Sequence, residues 1–90
     1  MVSTSHTAHA SAWDRVAACE SGGKWSTPMR NGSSGGLQIT NTAWRTYGGL
    51  KFAPRANQAS RAQQISVAER ILHAHGPRSW STCAVKARLH

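Results

Sequence analysis

The chain has 90 residues and carries 11 Lys and Arg against 3 Asp and Glu, a formal charge of +8. That length fits one domain, with a core small enough for a covalent cross-link to help. No stretch approaches the ~18 apolar residues of a membrane span. The basic charge is dispersed, without five basic residues in a row, and favours an anionic partner such as nucleic acid, lipid headgroups or an acidic cell wall.

Residues 1–11 are Ser, Thr, His and Ala without apolar periodicity and read as a flexible tail, with His6 and His9 solvated rather than metal-binding. Met1 to Trp13 lacks the apolar centre of a signal peptide. An exported protein would then be a mature domain behind an added Met1, or one released by another route such as lysis.

A first helix is expected from about Ser11 to Glu20, with Ser11 as N-cap and Asp14 completing a box-like start. Trp13, Val16, Ala17 and Glu20 fall at i, i+3, i+4 and i+7, so Glu20 shares the apolar stripe while Asp14 lies off it. Ser21-Gly22-Gly23 ends the helix. The next segment is rich in turn formers, and Asn31-Gly32 before "GGLQI" predicts a small irregular hairpin.

Thr40 or Asn41 should cap a short helix carrying Ala43, Trp44 and Tyr47, closed by Gly48-Gly49, with Trp44 in the core. "LKFAPRANQA" reads as loop. Ser60 and Gln63 form a capping box for the longest helix, whose stripe is Ile65, Ala68, Ile71 and Leu72 and whose stop is Gly76-Pro77. A last turn around Ser79 to Cys83 brings Trp80 inward. The ordered domain is expected over 12–84, with a C-terminal tail over 85–90.

Cys19 and Cys83 are 64 residues apart and lack zinc-ligand spacing, so no metal site is expected. One disulfide, implying an oxidising compartment, is the favoured reading. Two buried thiols in a cytosolic protein are the other.

A carboxyl on the apolar side of a helix is costly to ionise, so burial raises its pKa, as a general acid for glycosidic cleavage requires. The glycines after Glu20 leave room for a ligand. The plainer alternative has Glu20 bonding backbone amides of the following loop. Glu69 flanks the long helix's stripe, and a structural hydrogen bond or ion pair is expected for it. Asp14 is roughly 9 Å along the helix from Glu20 and about 120° around it, so one helix cannot present both to one sugar. Either Glu69 is the second acid, or one carboxylate acts with help from the substrate's acetamido group, which is the favoured form.

"WDRVAACESGGKW", Asn31-Gly32, "GGLQI", Trp44, "GGLKFAPRA", "ASRAQQISVAERIL" and "WSTC" follow one another from residue 13 to about 84. In this order they resemble the resuscitation-promoting factor domain, a small lysozyme-like, transglycosylase-like family of secreted actinobacterial proteins and their phages.

The resemblance implies an α+β lysozyme-like fold of three to four short helices, a small β-hairpin and one disulfide, Cys19 to Cys83. It implies Glu20 as catalytic acid, bacterial peptidoglycan as substrate, cut between N-acetylmuramic acid and N-acetylglucosamine, and no cofactor. It also implies a secreted or wall location and action in wall remodelling or growth resuscitation, often beside a peptidoglycan endopeptidase. A monomer without nucleic-acid partner or membrane insertion is expected. Gln38 is assigned a sugar-contacting or acid-positioning role, the plainer alternative being a hairpin glutamine that bonds only backbone. Asn31 either lines the same cleft or serves only its turn.

Departures from the family pattern are local. Pro28, Met29 and Arg30 precede Asn31-Gly32, and Ser33 replaces an aromatic. Ala43 stands where a substrate-contacting threonine is usual, with Thr42 one residue earlier as the substitute contact. Gly76-Pro77 replaces Gly-Trp. These departures motivate a second reading, a wall-binding or signalling module with little turnover. A nucleic-acid binder has charge and stackable aromatics in its favour but no recognised motif.

Overall fold

The computed structural model describes residues 10–88. Four α-helices, α1 (Ala10–Ser21), α2 (Asn41–Thr46), α3 (Arg61–His75) and α4 (Ser81–Ala87), surround one antiparallel pair, β1 (Ser33–Ser34) and β2 (Ile39–Thr40). Short 3-10 turns fill Gly49–Lys51, Ala56–Gln58 and Gly76–Trp80. The expected α+β class with a small hairpin and one disulfide is what forms, and Cys19 is bonded to Cys83 with a Cα–Cα separation of 5.6 Å. His6 and His9 lie outside the described residues.

Helix α1 includes Ala10, one residue before the expected cap, which puts Ser11 inside the helix. Asp14 receives a bidentate ion pair from Arg61 at the start of α3, with both N–O distances 2.8 Å. The apolar stripe is as expected. Trp13, Val16 and Ala17 are buried, and Glu20, at the helix end, is half-buried.

The Asn31-Gly32 turn forms, with φ of 52° and 82°. It joins Arg30 to Ser33, ahead of the strand pair, through backbone bonds of 2.8 and 3.0 Å. The strand expected in "GGLQI" shrinks to Ile39–Thr40, because Gly35 and Gln38 both take positive φ and Gly35 to Gln38 becomes the hairpin loop. The register pairs Ser33 with Thr40 and Ser34 with Ile39.

Thr40 caps α2 by accepting the Ala43 N–H. Trp44 is fully buried, and its Nε1 donates to the Ala53 carbonyl at 2.8 Å. Two 3-10 turns interrupt the segment expected to be loop. Ser60 and Gln63 complete the capping box of α3. The face of α3 turned to the core carries Gln64, Val67, Ala68, Ile71 and Leu72, while Ile65 is only partly buried against it. Gly76 ends α3 at φ 73°.

The chain then runs through a 3-10 turn into α4, which extends past residue 84 to bury Ala87. Helix α4 packs on α1, and Arg15 donates through Nε and Nη2 to the Ala87 carbonyl at its end. Cationic groups at a helix C-terminus satisfy carbonyls that have no intrahelical partner. Among the described residues no helix is long and apolar enough to cross a membrane.

Candidate active site

The site grows from the C-terminal end of α1. Gly22 and Gly23 take φ of 72° and 85°, conformations that cost side-chain-bearing residues more. Their N–H groups donate to the carbonyls of Ala18 and Ala17 at 3.2 and 3.0 Å. These two glycine amides are therefore not the partners of Glu20 that the plainer alternative needs. Burial alone raises the Glu20 carboxyl above its ordinary range, with no charge or hydrogen bond acting the other way.

The other two carboxylates serve the fold. Glu69 accepts the Trp13 indole N–H at 2.7 Å, the structural role expected for it. Hydrogen bonding from Arg61 holds Asp14 below the ordinary aspartate range.

The Gly35–Gln38 loop is fastened beside this helix end at successive backbone groups. The Gly36 N–H donates to Gln64 Oε1 at 3.0 Å, and the Gly36 carbonyl accepts from Ser21 Oγ at 2.8 Å. The Leu37 carbonyl accepts from Trp80 Nε1 at 3.0 Å. Trp80 in turn meets Trp13 edge to face, ring centroids 4.9 Å apart. The residue after Glu20 thus holds the loop that presents Gln38, while Trp13, one helical stripe below Glu20, supports it from beneath.

Gln38 has φ 52°, and its Nε2 donates to the Gly35 carbonyl at 3.0 Å. It lines a cavity of about 200 Å³ with Ile39, Thr40, Ala43, Ile71, Ser79 and Trp80. A second cavity, of about 420 Å³, shares Thr40, Ala43, Ile71 and Ser79 with the first and adds Thr42, Thr46, Tyr47, His75 and Arg78. The two form one continuous groove, of the size that ligand clefts span. A further hollow of about 380 Å³ begins at Ser21 and runs along Lys24, Ser26, Thr27, Pro28 and Arg30.

Gln38 and Thr42 therefore share a groove. Asn31 is exposed at its turn and lines none of these hollows. Glu20 lines neither part of the groove, and the Ser21–Gly36 bond is its link to Gln38. Sequence reasoning missed Gln64, Trp80 as a holder of the loop, and the His75–Arg78 rim. Gln64 was detectable as a polar residue three and four positions before Val67 and Ala68, in the core register of its helix.

A transglycosylase-like domain family matches residues 7–83. Resuscitation-promoting factor RpfA of Mycobacterium tuberculosis is 54% identical over 71 residues, covering 79% of this chain and 17% of RpfA. Resuscitation-promoting factor Rpf1 of Corynebacterium glutamicum is 46% identical over 90 residues, the whole of this chain and 47% of Rpf1. RpfC of M. tuberculosis is 47% identical over 77 residues, 86% of this chain and 53% of RpfC. The chain thus spans from under a fifth to about half of these relatives' length.

Proposed function

Because the chain belongs to the transglycosylase-like domain family, which it shares with resuscitation-promoting factors, we propose that it cleaves bacterial peptidoglycan between N-acetylmuramic acid and N-acetylglucosamine with Glu20 as the acid. The observation that carries this reading is the division of labour among the acids. Asp14 and Glu69 are engaged in holding helices together, while Glu20 is half-buried and shifted upward by desolvation alone.

A carboxyl whose pKa is raised by burial holds its proton to higher pH than a free one and can give it to the leaving glycosidic oxygen as the C–O bond breaks. With no second free carboxylate opposite, the muramic C1 is captured by groups of the substrate itself, the acetamido oxygen or the 6-hydroxyl. The Glu20 carboxylate then recovers a proton from that hydroxyl or from water. Capture by the 6-hydroxyl gives an anhydro end, and capture by water a reducing end.

Gln38 and Thr42 contact the sugars in this scheme, and the groove bounded by Thr40 and Ile71 receives the strand. Asn31 serves its turn. The protein acts as a monomer outside the cell or in the wall, in wall remodelling or growth resuscitation, on a mesh whose peptide links an endopeptidase opens. Its positive charge suits that anionic material.

Ala43 lines both parts of the groove with a methyl group instead of a hydroxyl. That observation favours the second reading, a wall-binding or signalling module with little turnover. Mass analysis of the fraction released from purified sacculi separates the two. The enzyme releases disaccharide peptides and its Glu20→Gln variant does not. A variant as active as the parent removes Glu20 from its role, and sedimentation with sacculi without any release supports the binding module.

A further inference from the structure

We infer that the outer part of the groove, around Arg78, His75 and Tyr47, is a subsite for the carboxylates of the peptide stem carried by the muramic sugar. This rests on the proposed substrate class and extends it to a part of the substrate that the acid does not touch.

The outer part is lined by Arg78 and His75 together with Thr40, Thr42, Thr46, Tyr47 and Ser79, and by none of the chain's three acids. Its polar groups are ordered among themselves. Arg78 Nη2 lies 3.5 Å from His75 Nδ1. His75 Nε2 is in turn hydrogen-bonded to the Tyr47 hydroxyl. Guanidinium carries only N–H donors, so the N–H groups of Arg78 that do not face His75 are left to donate.

The result is a rim that carries the Arg78 guanidinium. Charge-assisted bonds from guanidinium to carboxylate are among the stronger polar contacts available at a surface. The two parts share Thr40, Ala43, Ile71 and Ser79, so a sugar held against Gln38 would have this rim as its neighbour.

The test is a binding measurement in the Glu20→Gln background, which keeps the strands intact. Soluble glycan strands are prepared with stems present, with stems removed by an amidase, and with wall phosphate polymers removed but stems kept. Stem-bearing strands should bind about five- to tenfold more tightly than stripped ones, the worth of one charge-assisted contact.

Arg78→Ala should erase that difference, Arg78→Lys should restore most of it, and Lys86→Ala, which removes a charge from exposed α4, should leave it unchanged. Arg78 is exposed, so its replacement leaves the core intact. Equal binding of stemmed and stripped strands, or a preference untouched by Arg78→Ala, overturns the subsite. Affinity lost only with the phosphate polymers does so too. If the parent meanwhile still releases disaccharide peptides, the subsite falls and the assignment of Glu20 stands. If no strand is bound or cut, both fall.

Discussion

The indole of Trp25 occupies the space that a side chain at Gly36 would need. A Cβ at Gly36 would lie 2.5 Å from Cε3 and 2.6 Å from Cδ2 of that ring. Gly36 has no positive φ, so contact alone explains the glycine here, whereas at Gly35 a φ of 83° adds to the crowding. Gly36→Ala should therefore cost about 1–3 kcal/mol through overpacking, read as a lower urea midpoint with an unchanged slope. Activity should fall with it, because Gln38 sits on the displaced loop.

Gln64 fastens the same loop from α3. Its Oε1 accepts from the Gly36 N–H, and its Nε2 donates to the carbonyls of Trp25 and Ala59 at 2.8 and 3.0 Å, all from a fully buried side chain. Gln64→Leu should destabilise by about 3 kcal/mol or more, since three backbone groups lose a partner and each costs roughly 1 kcal/mol or above. Equilibrium unfolding measures it. Hydrogen exchange at the Gly36 amide should accelerate more than exchange in α4.

The disulfide closes a loop with a sequence separation of 64 residues and holds the turn that carries Glu20 against α4. In the chain-entropy account its removal by Cys19→Ser with Cys83→Ser costs on the order of 4 kcal/mol. The reduced protein should show a lower melting temperature and lose activity before it unfolds, as the end of α1 loosens first.

Elements with local causes were legible in the sequence. Ser60 with Gln63 and Thr40 with Ala43 form caps whose partners lie three residues away, and both occur as expected. The Trp13, Val16, Ala17 stripe followed from helical period alone. Features made by distant partners were not legible. Asp14 looked like a capping residue because Arg61, its actual partner, lies 47 residues on. The helical register of Gln64 marks it as core-facing, but the distant backbone groups that make a buried glutamine acceptable do not show in the sequence. The groove rim is assembled from α2 and the turn after α3, so neither segment by itself disclosed it.

The Asp14–Arg61 pair makes a pH prediction. The arginine lowers the native pKa of Asp14. Its stabilisation is therefore present above the unfolded-state pKa and is lost as pH falls through the lower native value, in the region below the ordinary 3.8. Asp14→Asn should flatten the acid limb of the melting-temperature profile, with a modest effect at neutral pH that shrinks further in salt, as expected for an exposed pair.

For Glu20 the sign is opposite. A native pKa raised by burial gives stability that is complete below the unfolded-state value and lost as pH rises through the native one. Glu20→Gln should thus melt higher than the parent at neutral pH and equally with it well below 4.5. Cleavage should decline as pH rises through the native value, because the acid must be protonated.

The most direct measurement is a titration of the Glu20 side-chain carboxyl, followed by its carbon chemical shift in the intact, oxidised protein. The account predicts a midpoint above the ordinary glutamate value of 4.5, with Asp14 in the same spectra below 3.8. A Glu20 midpoint at or below 4.5 would contradict it, for the carboxyl would then be no better a proton donor than one free in water.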